Sequence, residues 1–164
     1  FLPGKTSSVF PAPIRAVMDA ATYDEARAIS KAHQGKSMSK QAWAIVPKIR
    51  EADEFLRANT TRQGWLREVH PEVSFAQWRD CLPILESKRT PAGQTIRSNL
   101  IETRYGSAFK SLLHRLPRAG FAMDDLHDAM AALWTAERIV HGKAFSLPDS
   151  PPVDRMSLKM EIVV

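Results

Sequence analysis

Only one cysteine, Cys81, occurs among 164 residues. It has no partner for an internal disulfide and no second thiol for a cysteine-rich zinc site, so a reducing, cytoplasmic setting is expected. Long apolar runs are missing as well. The stretch Ala129 to Trp134 is among the longest, far short of the ~20 residues that cross a bilayer. No secretory leader is visible, and a soluble protein with no membrane partner is expected. The glycines form no G-x-G-x-x-G, and neither G-x-S-x-G nor H-E-x-x-H occurs. Dinucleotide-binding, serine-hydrolase and zincin readings therefore lack a starting point. Pro3-Gly4-Lys5-Thr6 imitates the end of a phosphate-binding loop, but the motif's first glycine would precede Phe1 and the helix that should follow meets Pro11. The histidines are scattered, and no internal repeat or low-complexity run is found.

What is present describes one globular domain or a large piece of one: 44% of the residues are apolar and 25% charged. A chain of this length buries roughly 70% of its unfolded surface, enough for a core without disulfide or metal staples. The net charge is +5, and it is unevenly spread: residues 1–60 sum to +3, 61–120 to +5 and 121–164 to −3. A basic body with an acidic final third suits phosphates lying across one surface and carboxylates gathering metal at one spot. Solvated helix faces would give the same totals.

The periodicity is mostly helical. Ser7 to Pro13 holds two prolines and reads as a loop, after which Ile14, Val17 and Met18 have helical spacing. Thr22 with Glu25 three residues on predicts a helix through His33 that ends near Gly35. Ser39 to Arg57 predicts a longer helix that Pro47 should kink or split. Trp65 to His70, bounded by Gly64 and Pro71, reads as a strand, and Val73 to Arg79 as a return to helix. Thr90-Pro91 opens a helix running toward Gly106, with Phe109, Leu112 and Leu113 in the next. Asp124 to His141 is the strongest helix, where Leu126, Ala129, Leu133, Ala136 and Val140 share one stripe. Leu158 to Val163 alternates as a closing strand. About seven helices with two isolated strands cannot build a sheet. The abrupt start at Phe1 favours strands lost upstream.

Three constellations could carry chemistry. Glu68, His70 and Glu72 alternate, so they share a face if the strand reaches that far; a solvated strand face, or a first-turn helix acid for Glu72, is the plainer alternative. Asp125 and Asp128 are three residues apart on the strongest helix and project together, a pair able to hold a hard divalent cation through oxygen. Asp124 and Asp125 are also natural N-terminal helix acids. Lys48, Lys88, Arg89, Arg97 and Arg104, with Trp65 and Trp78 nearby in sequence, could track a phosphate backbone with aromatic stacking. Ordinary surface cations would look alike.

Several phrases, read in order, resemble one family: Ser7-Ser8-Val9-Phe10-Pro11-Ala12-Pro13-Ile14-Arg15, Gln41-Ala42-Trp43, Pro47-Lys48-Ile49-Arg50-Glu51-Ala52-Asp53, and Glu68-Val69-His70-Pro71-Glu72-Val73-Ser74-Phe75. Ser87-Lys88-Arg89-Thr90 with Gly93 and Arg97, then Asp124 to Ala129 leading into Ala132-Leu133-Trp134-Thr135-Ala136, agree. These resemble the domain-of-unknown-function 429 family, whose members are predicted to be RNase H-like nucleases.

The resemblance implies an α/β fold of RNase H-like type. In that fold, early strands carry acids in Gly-Val-Asp-Gly-like and Ile-Asp-Ile-Pro-like phrases, and this sequence contains neither. Residues 1–164 are accordingly expected to be the carboxyl-terminal portion of a single RNase H-like domain, mostly helical because its first strands are absent. Similarity to RuvC-type resolvases of the same fold implies that Asp125 and Asp128 are metal ligands, with Asp128 foremost. Glu72, or Glu68 in its place, would add a ligand or orient water, and His70 would shuttle protons. Mg²⁺ or Mn²⁺ is the implied cofactor and nucleic acid, DNA or RNA, the implied partner, touched by Lys48, Lys88 and Arg97. The alternative is a non-catalytic nucleic-acid-binding or protein-interaction domain of the same fold. A homo-oligomer covering apolar helix faces such as Leu133 and Val140 is a further expectation.

Overall fold

The computed structural model of the chain describes residues 2–5, 11–117 and 120–164. Thr6, which ends the phosphate-loop-like phrase, and Ser7 to Phe10, which begin the proline loop, lie outside the described residues. The chain forms two compact units, Ser7–Leu66 and a larger one of Phe1–Thr6 with Arg67–Val164.

In the smaller unit a 3-10 turn, Arg15–Val17, leads into helix α1, Tyr23–Gln34, and helix α2, Lys40–Arg57. The ends are set by the residues the sequence singled out. Thr22 Oγ1 accepts from the Glu25 N–H at 3.2 Å, and Ser39 Oγ accepts from the Ala42 N–H at 3.1 Å. Each satisfies a helix-start donor that has no partner within its helix. Gly35, at φ 68°, closes α1 in the left-handed region that glycine adopts without strain. Val17, Ala20, Ala26, Met38, Ala42 and Val46 form the core, with Ile14, Ile29 and Trp43 packed on it. Pro47 does not split α2. Val46 is anchored in the core just before it, and the buried Asp53 beyond it is held by Arg15 at 2.7 Å and Arg57 at 2.8 Å. A second 3-10 segment, Thr60–Gly64, follows.

The larger unit holds helix α3, Pro71–Trp78; α4, Pro91–Arg115; and α5, Met123–Val140. Two strands of two residues, β1 (Ser146–Leu147) and β2 (Ile162–Val163), pair antiparallel. Among the described residues the chain is thus predominantly helical, and no helix is long and apolar enough to cross a membrane. Phe75, Ile84, Ile101, Phe109, Leu126, Met130 and Ala131 make the main core, where α3 and α4 both pack on α5. A stack of Phe75, Trp78 and Trp134 extends it, the two indoles lying 5.1 Å apart and nearly parallel. At Gly106 the backbone leaves helical geometry (φ 51°, ψ −123°), dividing α4 where the sequence places the boundary between two helices.

Three expectations are corrected. The segment Trp65 to His70 is not a strand, although its Glu68 carbonyl accepts from the Val163 N–H at 2.8 Å. In the closing segment only Ile162 and Val163 pair with β1, because Asp154 Oδ1 folds the chain before them by accepting from the Met156 and Leu158 N–H groups. The stripe on α5 is not its core face. Leu126, His127, Met130, Ala131 and Thr135 are buried, while Ala129, Leu133, Ala136 and Val140 are exposed. The polar members of the buried face each have a partner on another helix: Thr135 Oγ1 lies 2.9 Å from Ser74 Oγ on α3, and His127 Nε2 lies 2.9 Å from Ser98 Oγ on α4, while His127 Nδ1 is buried without one.

Candidate functional site

Pro71, at the first position of α3, has the fixed φ that starts a helix and no N–H to leave unbonded. It therefore ends the alternation of Glu68, His70 and Glu72. Glu72 falls in the first turn of α3 and is buried, rather than lining an extended edge with the other two. Arg97 Nη2 reaches both of its carboxylate oxygens, at 2.6 and 2.8 Å, and Lys5 Nζ approaches Oε2 at 2.8 Å. Burial would raise this carboxyl, but the two cations outweigh it and hold Glu72 below its ordinary value. Arg97 itself is fully buried and also donates to the Gly93 carbonyl at 2.8 Å. It is a structural counter-ion. The expectation that it touches a phosphate backbone is corrected, since its guanidinium does not reach the surface.

The loop Glu86 to Thr90 is laid against the start of α4. Thr90 Oγ1 accepts from the Gly93 N–H and donates to the Ser87 carbonyl. A Cβ at Gly93 would sit 2.0 Å from the Ser87 oxygen, so only glycine permits this approach. The loop carries Lys88 to α5, where its Nζ lies 2.7 Å from Asp128 Oδ2 and 3.6 Å from Asp124 Oδ2. Burial would lower the Lys88 ammonium, yet Asp128 and then Asp124 outweigh this and raise it above its ordinary value.

The carboxylates that converge are therefore Asp124 and Asp128, four residues apart, and not Asp125 and Asp128. Asp125 is exposed and turned back to the helix start, where its Oδ2 accepts from the Ala122 N–H at 3.3 Å. The third helical position is where such back-bonding is favoured, and that signal was readable in the sequence. Asp128 Oδ1 is buried and has no hydrogen-bond partner. Beside it, burial together with the charge of Arg97 keeps the His127 imidazole below its ordinary value.

His70 occupies the cap position of α3 and is half-buried. Burial pushes the Glu68 carboxyl above its ordinary value, against the pull of His70. Lys48 is exposed on α2 and paired with Glu51 at 3.1 Å. Sequence reasoning missed Asp124, Lys5 and His127 as members of the cluster: Lys5 reaches it only through tertiary packing, whereas the four-residue spacing of Asp124 and Asp128 on one helix was a readable signal.

Among the described residues no group of three or more His, Cys, Asp or Glu side chains gathers in a way that could hold a metal ion. The Asp124–Asp128 pair nonetheless has the all-oxygen chemistry that Mg²⁺ and Mn²⁺ accept, and the unpartnered Asp128 Oδ1 suits such a group. No curated protein and no solved structure matches the chain. The family model described as protein of unknown function (DUF429) matches residues 1–153, nearly the whole chain, a span of this sequence that includes His70-Pro71-Glu72 and Asp124 to Asp128. The chain belongs to the DUF429 family.

Proposed function

We propose that the chain serves a metal-dependent nuclease of RNase H-like type, which hydrolyses phosphodiester bonds in nucleic acid. The observation that supports this reading best is the convergence of Asp124 and Asp128 on one cationic group, with Asp128 Oδ1 left unbonded. Asp128, with Asp124, would hold Mg²⁺ or Mn²⁺. Such an ion, when bound, supplies Lewis acidity at a phosphoryl oxygen. Lys88 neutralises the pair in its absence and must yield Asp128 Oδ2 to any ion that enters. His70, at the cap position of α3, is the group proposed to move a proton. Glu72 is assigned a supporting part: its oxygens are engaged by Arg97 and Lys5, and it fixes the start of α3 against α4. The test is Mn²⁺-dependent cleavage of labelled single- and double-stranded DNA and RNA. Cleavage lost in Asp128→Asn supports the proposal; metal-dependent cleavage that survives this change refutes it.

A second reading, a non-catalytic nucleic-acid-binding domain of the same fold, draws on the same engagement of Glu72, which leaves only two carboxylates for a site. Binding that weakens steeply with salt, without turnover in Mg²⁺ or Mn²⁺, would favour it.

A further inference from the structure

Lys88 stands where a cation would stand at the Asp124–Asp128 pair. Its Nζ lies 2.7 Å from Asp128 Oδ2 and 3.6 Å from Asp124 Oδ2, one ammonium shared by two carboxylates. Glu72 is matched by Arg97 and Lys5, which leaves the two aspartates to Lys88. The contact is open to solvent. The Lys88 side chain is 35% exposed, those of Asp124 and Asp128 are 21% and 26% exposed, and the flanking Ser87 and Arg89 lie at the surface. Thr90 and Gly93 hold the loop against α4, so the Lys88 backbone keeps its place while its flexible four-carbon stem can swing the ammonium outward, on the loop that also presents Arg89.

Charge then ties two ligands together. The aspartates and Lys88 carry one net negative charge; a divalent ion held by the aspartates would make it one positive charge, with the ammonium close beside the ion in a half-buried site where like charges repel strongly. A phosphodiester anion restores neutrality and gives the displaced ammonium a partner. On the reading of Asp124 and Asp128 as a metal pair, we propose that Lys88 is a built-in blocking cation that a nucleic-acid backbone draws away. Metal binds the chain weakly by itself and tightly together with a phosphodiester strand. The coupling is reciprocal, because the factor by which the strand tightens the metal is the factor by which the metal tightens the strand.

The test is calorimetric titration of Mn²⁺ into the full chain, alone and with a single-stranded phosphorothioate oligonucleotide, which keeps one negative charge at each linkage and resists cleavage. The Mn²⁺ taken up by the oligonucleotide itself is measured separately and subtracted. Lys88→Met should tighten Mn²⁺ binding to the chain alone by at least about tenfold, and Lys88→Arg, which keeps the charge, should not. The oligonucleotide should tighten Mn²⁺ binding to the parent by about tenfold or more, and by several-fold less in Lys88→Met. Mn²⁺ binding no tighter in Lys88→Met than in the parent, or an equal gain from the oligonucleotide in both, overturns the proposal and leaves the metal pair standing. Failure of the parent and Lys88→Met alike to bind Mn²⁺, or undiminished binding by the Asp124→Asn/Asp128→Asn chain, overturns the metal pair and this proposal with it.

Discussion

Arg97 shows how much one side chain can fix. It is fully buried, holds both oxygens of Glu72 and donates to the Gly93 carbonyl, tying α3 to the first turn of α4. Removing one partner of a buried ion pair leaves the other charge unmatched in a poor solvent for it, which costs about 3–5 kcal/mol. Arg97→Met leaves Glu72 matched by Lys5 alone, so the expected loss in urea denaturation is smaller, about 1–3 kcal/mol for the charged hydrogen bonds removed. The same cluster sets an acid sensitivity. His127 titrates below its ordinary 6.5, so the unfolded chain binds more protons as pH drops under that value and stability falls with it. Glu72 adds a further loss as pH falls below its ordinary 4.5 and through its lowered folded value. His127→Gln should flatten the first of these slopes and leave the second, as read from denaturation midpoints between pH 7 and pH 3.

At the scale of elements, the loop Glu86 to Thr90 and helix α4 meet at Gly93. Because a Cβ there would fall 2.0 Å from the Ser87 oxygen, Gly93→Ala must push the loop off the helix. A loss of about 1–3 kcal/mol is expected, typical of overpacking. The Lys88–Asp128 contact should loosen at the same time, read as a changed Asp128 carboxyl resonance in NMR. Helix ends were legible in the sequence wherever a local rule sets them: Thr22, Ser39 and Thr90 all cap as their spacing implies, and Gly35 and Gly106 interrupt helices as expected. The facing of α5 was not legible. Hydropathy favours Ala129, Leu133, Ala136 and Val140, but the buried side includes His127 and Thr135, whose polarity is offset by Ser98 and Ser74 on other helices. Asp125 and Asp128 were singled out from local spacing. The structure pairs Asp124 with Asp128 instead, because the third-position acid is drawn back to the helix start and the arrival of Lys88 depends on a loop thirty-six residues away in sequence from Asp124.

Across the whole molecule, the largest basic surplus lies in residues 61–120, with a smaller one in residues 1–60, and the acidic surplus lies in residues 121–164. Part of that charge is internal: Arg97, Lys5 and Glu72 satisfy one another, and Lys88 satisfies Asp124 and Asp128. The basic total therefore overstates what a polyanion can reach, and Lys48 and Arg89 are among the exposed cations that remain. The central claim is that Asp124 and Asp128 form the carboxylate pair of a divalent-metal site. Calorimetric titration of Mn²⁺ into the full chain tests it most directly, alongside the Asp124→Asn/Asp128→Asn chain and an Asp125→Asn control. The account predicts binding that is lost in the double variant and kept in the Asp125 variant. Equal binding by the parent and the double variant, or no binding by the parent, would contradict it.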